Sequence, residues 1–168
     1  MHFSTIAILS LSALATAAPL AKRQALASTT YNAISISGGK AGNAEAEALA
    51  VFSAINTADP SNIGKQDISF LNKVNQVAND AETDAFNPAI EAATGAQKDA
   101  LQAGKIKNKV LKLTATKLQL EAKQAQGEDV AAKLAEELKK LNNNIATDKA
   151  SAGQASTALP FDATISGA

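Results

Sequence analysis

The sequence predicts an all-α protein, an antiparallel four-helix bundle with extended N- and C-terminal arms, and three observations carry that expectation. Ala, Lys, Gln, Glu and Leu, which enter helices at little cost, are abundant. Pro and Gly number only 4 and 9 in 168 residues and fall where helices would start or stop. Apolar residues recur at three- and four-residue steps over four separate stretches, the period of a helix with one buried face.

The first helix is expected over about residues 43–57, with Leu49, Phe52 and Ile55 on its buried side and Ala44, Ala48 and Ala50 permitting close approach. Asp59-Pro60-Ser61 ends it and leads into the second, over about 63–86, whose stripe is Ile68, Leu71, Val74, Ala78, Ala81 and Ala85. Pro88 removes a backbone donor and crowds the preceding turn, so a break or kink is expected at Asn87-Pro88. The third helix is the longest, about 89–126; Gly95 and Gly104 weaken its beginning, and Leu111, Ala115, Leu118, Ala122 and Ala125 mark its clearest part. Gly127 separates it from the fourth, about 128–149, where Val130, Leu134, Leu138, Leu141 and Ile145 form one stripe and Glu128 and Asp129 favour the positive end of the helix dipole. Burying those five side chains contributes about 1.5–3 kcal/mol each before entropy costs, enough to demand a partner surface. Short connections make these helices antiparallel neighbours.

The two ends differ in kind. Thr29 to Ser37 alternates apolar and polar residues, and the chain closes on a similar Ala163-Thr-Ile-Ser-Gly167. Each is either an extended arm along the bundle or one half of a two-stranded ribbon, which is marginal without packing.

The N-terminus reads as a secretory leader. Phe3 to Leu14 is an apolar run too short to span a bilayer, and Ala15-Thr16-Ala17 suits signal peptidase, so residues 1–17 are expected to be a signal peptide although its n-region lacks Lys or Arg. Lys22-Arg23 then ends a short propeptide, 18–23, and resembles the site of the kexin-type processing protease of the fungal secretory route. A single helical domain, 24–168, remains, with the extracellular space and an association with the cell wall as its expected location. It has no apolar tail, no membrane-spanning stretch and no N-glycosylation sequon. Without cysteine its core alone must hold it, which a chain of this length can do.

Composition narrows the chemistry. Past Arg23 the chain has no His, Cys, Arg, Trp or Met. His and Cys supply most zinc, haem and iron–sulfur ligands and most nucleophile–base pairs, so no catalytic residue, cofactor or metal site is expected. From Gln24 onward 14 Lys face 16 Asp plus Glu; 4 Lys and 9 acids precede Lys105, and 10 Lys and 7 acids follow from it. A nearly neutral chain without Arg is a poor reader of nucleic acid.

Individual motifs follow the same logic. Gly38-Gly39-Lys40-Ala41-Gly42 lacks the spacing of a phosphate loop and reads as a turn into a helix. Asp59 to Phe70 has Gly64 at the sixth place of a calcium loop, but Ile63 and Phe70 stand at the fifth and twelfth, so the match fails. Asp80 and Asp84 share a face with Glu82 nearby, and Glu45 and Glu47 open the first helix; a solvated acidic face explains them better than a sugar hydrolase, whose site would use aromatic platforms where this chain has no Trp and one Tyr, Tyr31. Lys105, Lys107, Lys109, Lys112 and Lys117 form a run with no acid between Asp99 and Glu121. Lys105, Lys109 and Lys112 share a face and are the candidate contact for an anionic surface: lipid headgroups, acidic polysaccharide or an acidic partner.

With the leader, the dibasic site and the segment YNAISISGGKAGNAEAEALAVF, the chain resembles the small secreted proteins of filamentous ascomycete fungi. It is more faintly similar to fungal hydrophobic-surface-binding and cell-wall mannoprotein helical domains, also Ala-rich bundles. Neither resemblance assigns a functional residue. The expected function is a secreted, non-catalytic interaction or cell-surface protein of effector type, with an unknown protein, cell-wall or lipid partner. A binder of lipids through an inter-helix groove is the alternative, and a carboxylate-dependent hydrolase the third reading.

Overall fold

The computed structural model describes residues 26–167. The expected signal peptide over 1–17 and the propeptide over 18–23 with Lys22 and Arg23 lie outside the described residues. The described chain is mostly helical, as the composition requires.

The chain enters as a short strand, β1 (Thr29–Thr30), and one turn of helix, α1 (Tyr31–Ile34), then reaches β2 (Gly39–Lys40). Next comes α2 (Ala44–Val51), eight residues long. The helix expected over 43–57 is therefore shorter than its pattern: it ends in turns after Val51, with Phe52 and Ile55 still buried. Leu49, expected on the buried side, is 48% exposed, because Ala44 and Ala48 make the inward face.

α3 (Lys65–Ala81) continues without a break through one π turn, Glu82–Phe86, into α4 (Asn87–Ala92). Asn87-Pro88 is thus not the boundary. The wider turn gives room where a proline ring would press on the preceding turn, and the missing proton of Pro88 falls at the start of α4. The chain breaks instead at Ala93 and Thr94, both extended, and α5 (Gly95–Ala125) begins there with 31 residues. α6 (Ala131–Ala150) lies close to its expected span. The five-residue stripe is buried unevenly: Leu141 and Ile145 are in the core, while Val130, Leu134 and Leu138 are half-buried.

α5 is the axis. α3 runs antiparallel to it, with Gln126 donating to the Ile63 carbonyl at one end (2.8 Å), Asn75 to Thr116 Oγ1 in the middle (2.7 Å) and Asn108 to the Ala78 carbonyl further on (2.8 Å). α6 folds back along another side after a tight turn at Gln126–Val130. Leu71, Val74, Val110, Leu111 and Leu118 fill the space between the helices and are essentially inaccessible. A satellite cluster of Phe86, Ile90, Ala93 and Leu101 packs under α4, covered by Leu159.

Both arms lie on this body and also pair with each other, in two separate antiparallel ladders. β1 meets β4 (Thr164–Ile165) through Thr29 opposite Ile165, and β2 meets β3 (Ala155–Ser156) through Gly39 opposite Ser156. Packing makes such short ladders tenable: Ile165 is fully buried, and Tyr31 is buried with its ring edge-to-face on Phe161 at 5.9 Å. The Tyr31 hydroxyl donates to Asn108 Oδ1 (2.8 Å), so the entry of the chain is tied to the middle of α5. Where the returning arm crosses α5, Thr157 donates its N–H to the Ala100 carbonyl. A side chain at Gly104 would run into the Thr157 carbonyl and Phe86, so this glycine is a crossing point and not merely a weak spot in the helix.

Candidate functional site

Lys105, Lys109 and Lys112 do share a face of α5, since steps of four and three keep a side chain near one azimuth. That face looks toward the π turn, and the three ammonium groups converge on one carboxylate, Glu82. Lys112 Nζ lies 2.9 Å from Glu82 Oε2, Lys109 Nζ 3.1 Å from Oε1 and Lys105 Nζ 3.8 Å from Oε1. Asn87 accepts a hydrogen bond from Lys105 (2.6 Å) and Asn79 one from Lys112 (3.2 Å), so side chains from α3, the π turn and α4 all hold the group.

The electrostatics are uneven. Burial alone would push the Glu82 carboxyl up, but hydrogen bonds and charge from Lys112 and then Lys109 outweigh it and hold the acid below its ordinary value. Three positive charges share one negative charge. The lysine side chains retain 22%, 31% and 16% exposure in the order 105, 109, 112, enough for a ligand to reach them. Asp80 and Asp84, expected as a solvated acidic face, are exposed, and among the described residues neither pairs with a lysine.

Lys107, in the same run, has another fate. Two residues from Lys105 is more than half a turn around the helix, and its side chain is 1% exposed. Its Nζ lies 2.7 Å from Glu47 Oε2 and donates to the carbonyls of Gly38 (2.7 Å) and Lys40 (3.2 Å). The Gly-Gly-Lys-Ala-Gly segment is thus a backbone turn caught by an ammonium group. Glu45, the other acid opening α2, pairs with Lys149 at 2.9 Å. Lys117 pairs with Glu121 one turn on at 2.8 Å.

Sequence reasoning found the lysine face but missed its acceptor. Glu82 is grouped by sequence with Asp80 and Asp84; the signal that separates it is its place on the stripe of Val74, Ala78 and Ala81, next to the core. The arrangement can hold an anionic group by charge and by ammonium donors. Among the described residues no group of three His, Asp or Glu side chains is placed to hold a metal ion, and no helix is long and apolar enough to cross a membrane.

Residues 26–160 match a family described as a domain of unknown function (DUF8454), and the chain belongs to that family. No curated protein and no solved structure matches the chain.

Proposed function

We propose that this member of the family is a secreted, non-catalytic interaction protein that meets an anionic surface through Lys105, Lys109 and Lys112. The observation that carries the reading is the sharing of one carboxylate, Glu82, by three partly exposed ammonium groups, which leaves two positive charges uncompensated within the cluster. Glu82 and the two asparagines orient the lysines, so less side-chain freedom is lost when an anion arrives. The leader, the dibasic site and the extracellular destination belong to the same proposal, as does an antiparallel bundle in which α2 stands in the place of a fourth long helix.

The runner-up, a binder of lipid between the helices, is supported by one feature only. An apolar hollow of about 300 Å³ lies between α4, α5 and the returning arm, lined by Ala89, Ala93, Leu101 and Leu159. The main inter-helix space is filled by Leu71, Val74, Val110, Leu111 and Leu118, so an acyl chain would have to lie in this edge hollow.

The test is co-sedimentation with vesicles containing phosphatidylglycerol and binding to polygalacturonate, each over a salt series. Contact through charge predicts binding that falls steeply as salt passes about 0.1 M, where the Debye length is about 10 Å. Lys105→Gln/Lys109→Gln/Lys112→Gln should abolish it, and Glu82→Gln should strengthen it by removing the one opposing charge. Binding that ignores salt and these variants, or a thermal midpoint raised by fatty acid, would favour the lipid reading instead.

A further inference from the structure

The lysine face borders a second polar row, carried by α3 and α4. Across the antiparallel pair Asn75 stands opposite Thr116, Asn79 opposite Lys112 and Glu82 opposite Lys109, at 2.7, 3.2 and 3.1 Å. The same register sets Asn87 beside Lys105 (2.6 Å) and, one turn beyond Thr116, Asn72 opposite Gln119. From Lys105 to Gln119 this strip runs about 21 Å, at about 1.5 Å per residue. Glu82 is the acid on it, while Asp80 and Asp84, two residues to either side, fall about half a turn around the helix.

The strip offers donors and acceptors together. An ammonium group only donates, so Asn79 and Asn87 turn Oδ1 to Lys112 and Lys105 and leave Nδ2 for another partner. Asn75 spends Nδ2 on Thr116 and leaves Oδ1 to accept. Asn72 and Asn79 are exposed, and Gln119 is half-buried. Amides beside uncompensated ammonium groups suit a ligand that carries negative charge and also hydroxyls, which both donate and accept. A bilayer is a poorer match, because interfacial contact gains much of its strength from buried apolar side chains. Leu49, the exposed large apolar residue among those described, sits on α2 at the Lys107 side of α5. Neutral sugars are commonly held on aromatic faces, which this strip lacks, so a sugar bound here must bring its own charge.

We infer that the strip binds an extended acidic polysaccharide, its anionic groups on Lys105, Lys109 and Lys112 and its hydroxyls along Asn72, Asn79 and Gln119. The inference rests on the lysine face being a contact for anions, and it adds the class of partner and the amide half of the site.

The experiment compares the native protein with Asn72→Ala/Gln119→Ala in calcium-free buffer. The probes are an octamer of galacturonate, a dextran sulfate oligomer of similar length, polyglutamate of equal charge and phosphatidylglycerol vesicles. Both substitutions fall in helices, where alanine is the better helix former, so the variant should fold; Asn72→Ala alone, at an exposed position, serves if it does not. The native protein should bind at least one saccharide more tightly than polyglutamate, and which one it prefers tells carboxylate from sulfate. The variant should bind that saccharide at least about threefold more weakly, as loss of a net hydrogen bond or two does. Its binding to polyglutamate and to vesicles, which meet the lysines by charge alone, should be unchanged. Unchanged saccharide affinity in the variant, equal weakening toward polyglutamate, or polyglutamate or vesicles bound more tightly than both saccharides would overturn the inference. If no polyanion binds at all, the lysine-face reading itself fails, and this inference fails with it.

Discussion

Lys107 and Lys109 stand two residues apart on α5, yet one is 1% exposed and the other 31%. The first belongs to the closed side of the helix, with Gly104, Asn108, Leu111, Ala115 and Leu118, where the arms and α2 are fastened. The second belongs to the open side, with Lys105 and Lys112, where three ammonium groups meet a single acid at the surface. A run of like charge in a sequence is therefore not a patch. Helical phase divides it into a structural clamp, whose hydrogen bonds go to backbone carbonyls, and a charged face free to act on something else. Substitutions on the closed side should cost stability and spare binding, and those on the open side the reverse.

The largest effect should come from Gly104. Gly104→Val forces a side chain into the Thr157 carbonyl, a backbone group that cannot simply turn away. It should destabilise by at least about 2 kcal/mol as overpacking does, with the returning arm lifted; chemical denaturation and amide exchange at Ala155–Ile165 check both. Asn108→Ala, which strips the Tyr31 hydroxyl and the Ala78 carbonyl of their partner, should cost about 2–4 kcal/mol through unsatisfied groups and a cavity.

These closed-side residues were the least legible in the sequence. Gly104 looks like a helix weakener until the arm that crosses it is known, and Asn108 looks like an ordinary polar helical residue. Both are explained by contacts more than fifty residues away in the chain, as Gly104 meets Thr157 and Asn108 meets Tyr31. α6 was legible because one period runs unbroken through it. The α3–α4 passage was not, since Pro88 signals a stop and only a π turn, which leaves no mark in the periodicity, lets the helix pass. Of the candidate site, the common face of Lys105, Lys109 and Lys112 follows from spacing alone. The acid they share sits on another helical segment, and spacing within one helix carries no information about it.

On the open side the comparison sharpens with pH. The folded pKa of Glu82 is depressed, so the stability it contributes is present above the ordinary glutamate value of about 4.3 and is lost as pH falls through the lower folded value. The difference in thermal midpoint between the native protein and Glu82→Gln should therefore hold steady at neutral pH and shrink below about pH 4. A difference that grows on acidification would mean that Glu82 is not held ionised by the lysines. The smallest effect belongs to Lys117→Gln, whose pair with Glu121 is about one-third exposed on each side; it should change stability by about 0.5 kcal/mol or less.

The division of the lysine run is tested most directly by measuring thermal midpoint and binding to phosphatidylglycerol vesicles, side by side, for Lys107→Met and for Lys105→Gln/Lys109→Gln/Lys112→Gln. Lys107→Met removes a buried ammonium from two carbonyls and from Glu47, which water still reaches, so it should cost about 2–3 kcal/mol, or roughly 4–12 °C. Its vesicle binding below the transition should be unchanged. The triple variant should lose vesicle binding while remaining folded with a cooperative transition. Loss of binding in Lys107→Met with an unaltered midpoint, or full binding by the triple variant, would contradict the assignment of clamp and contact face.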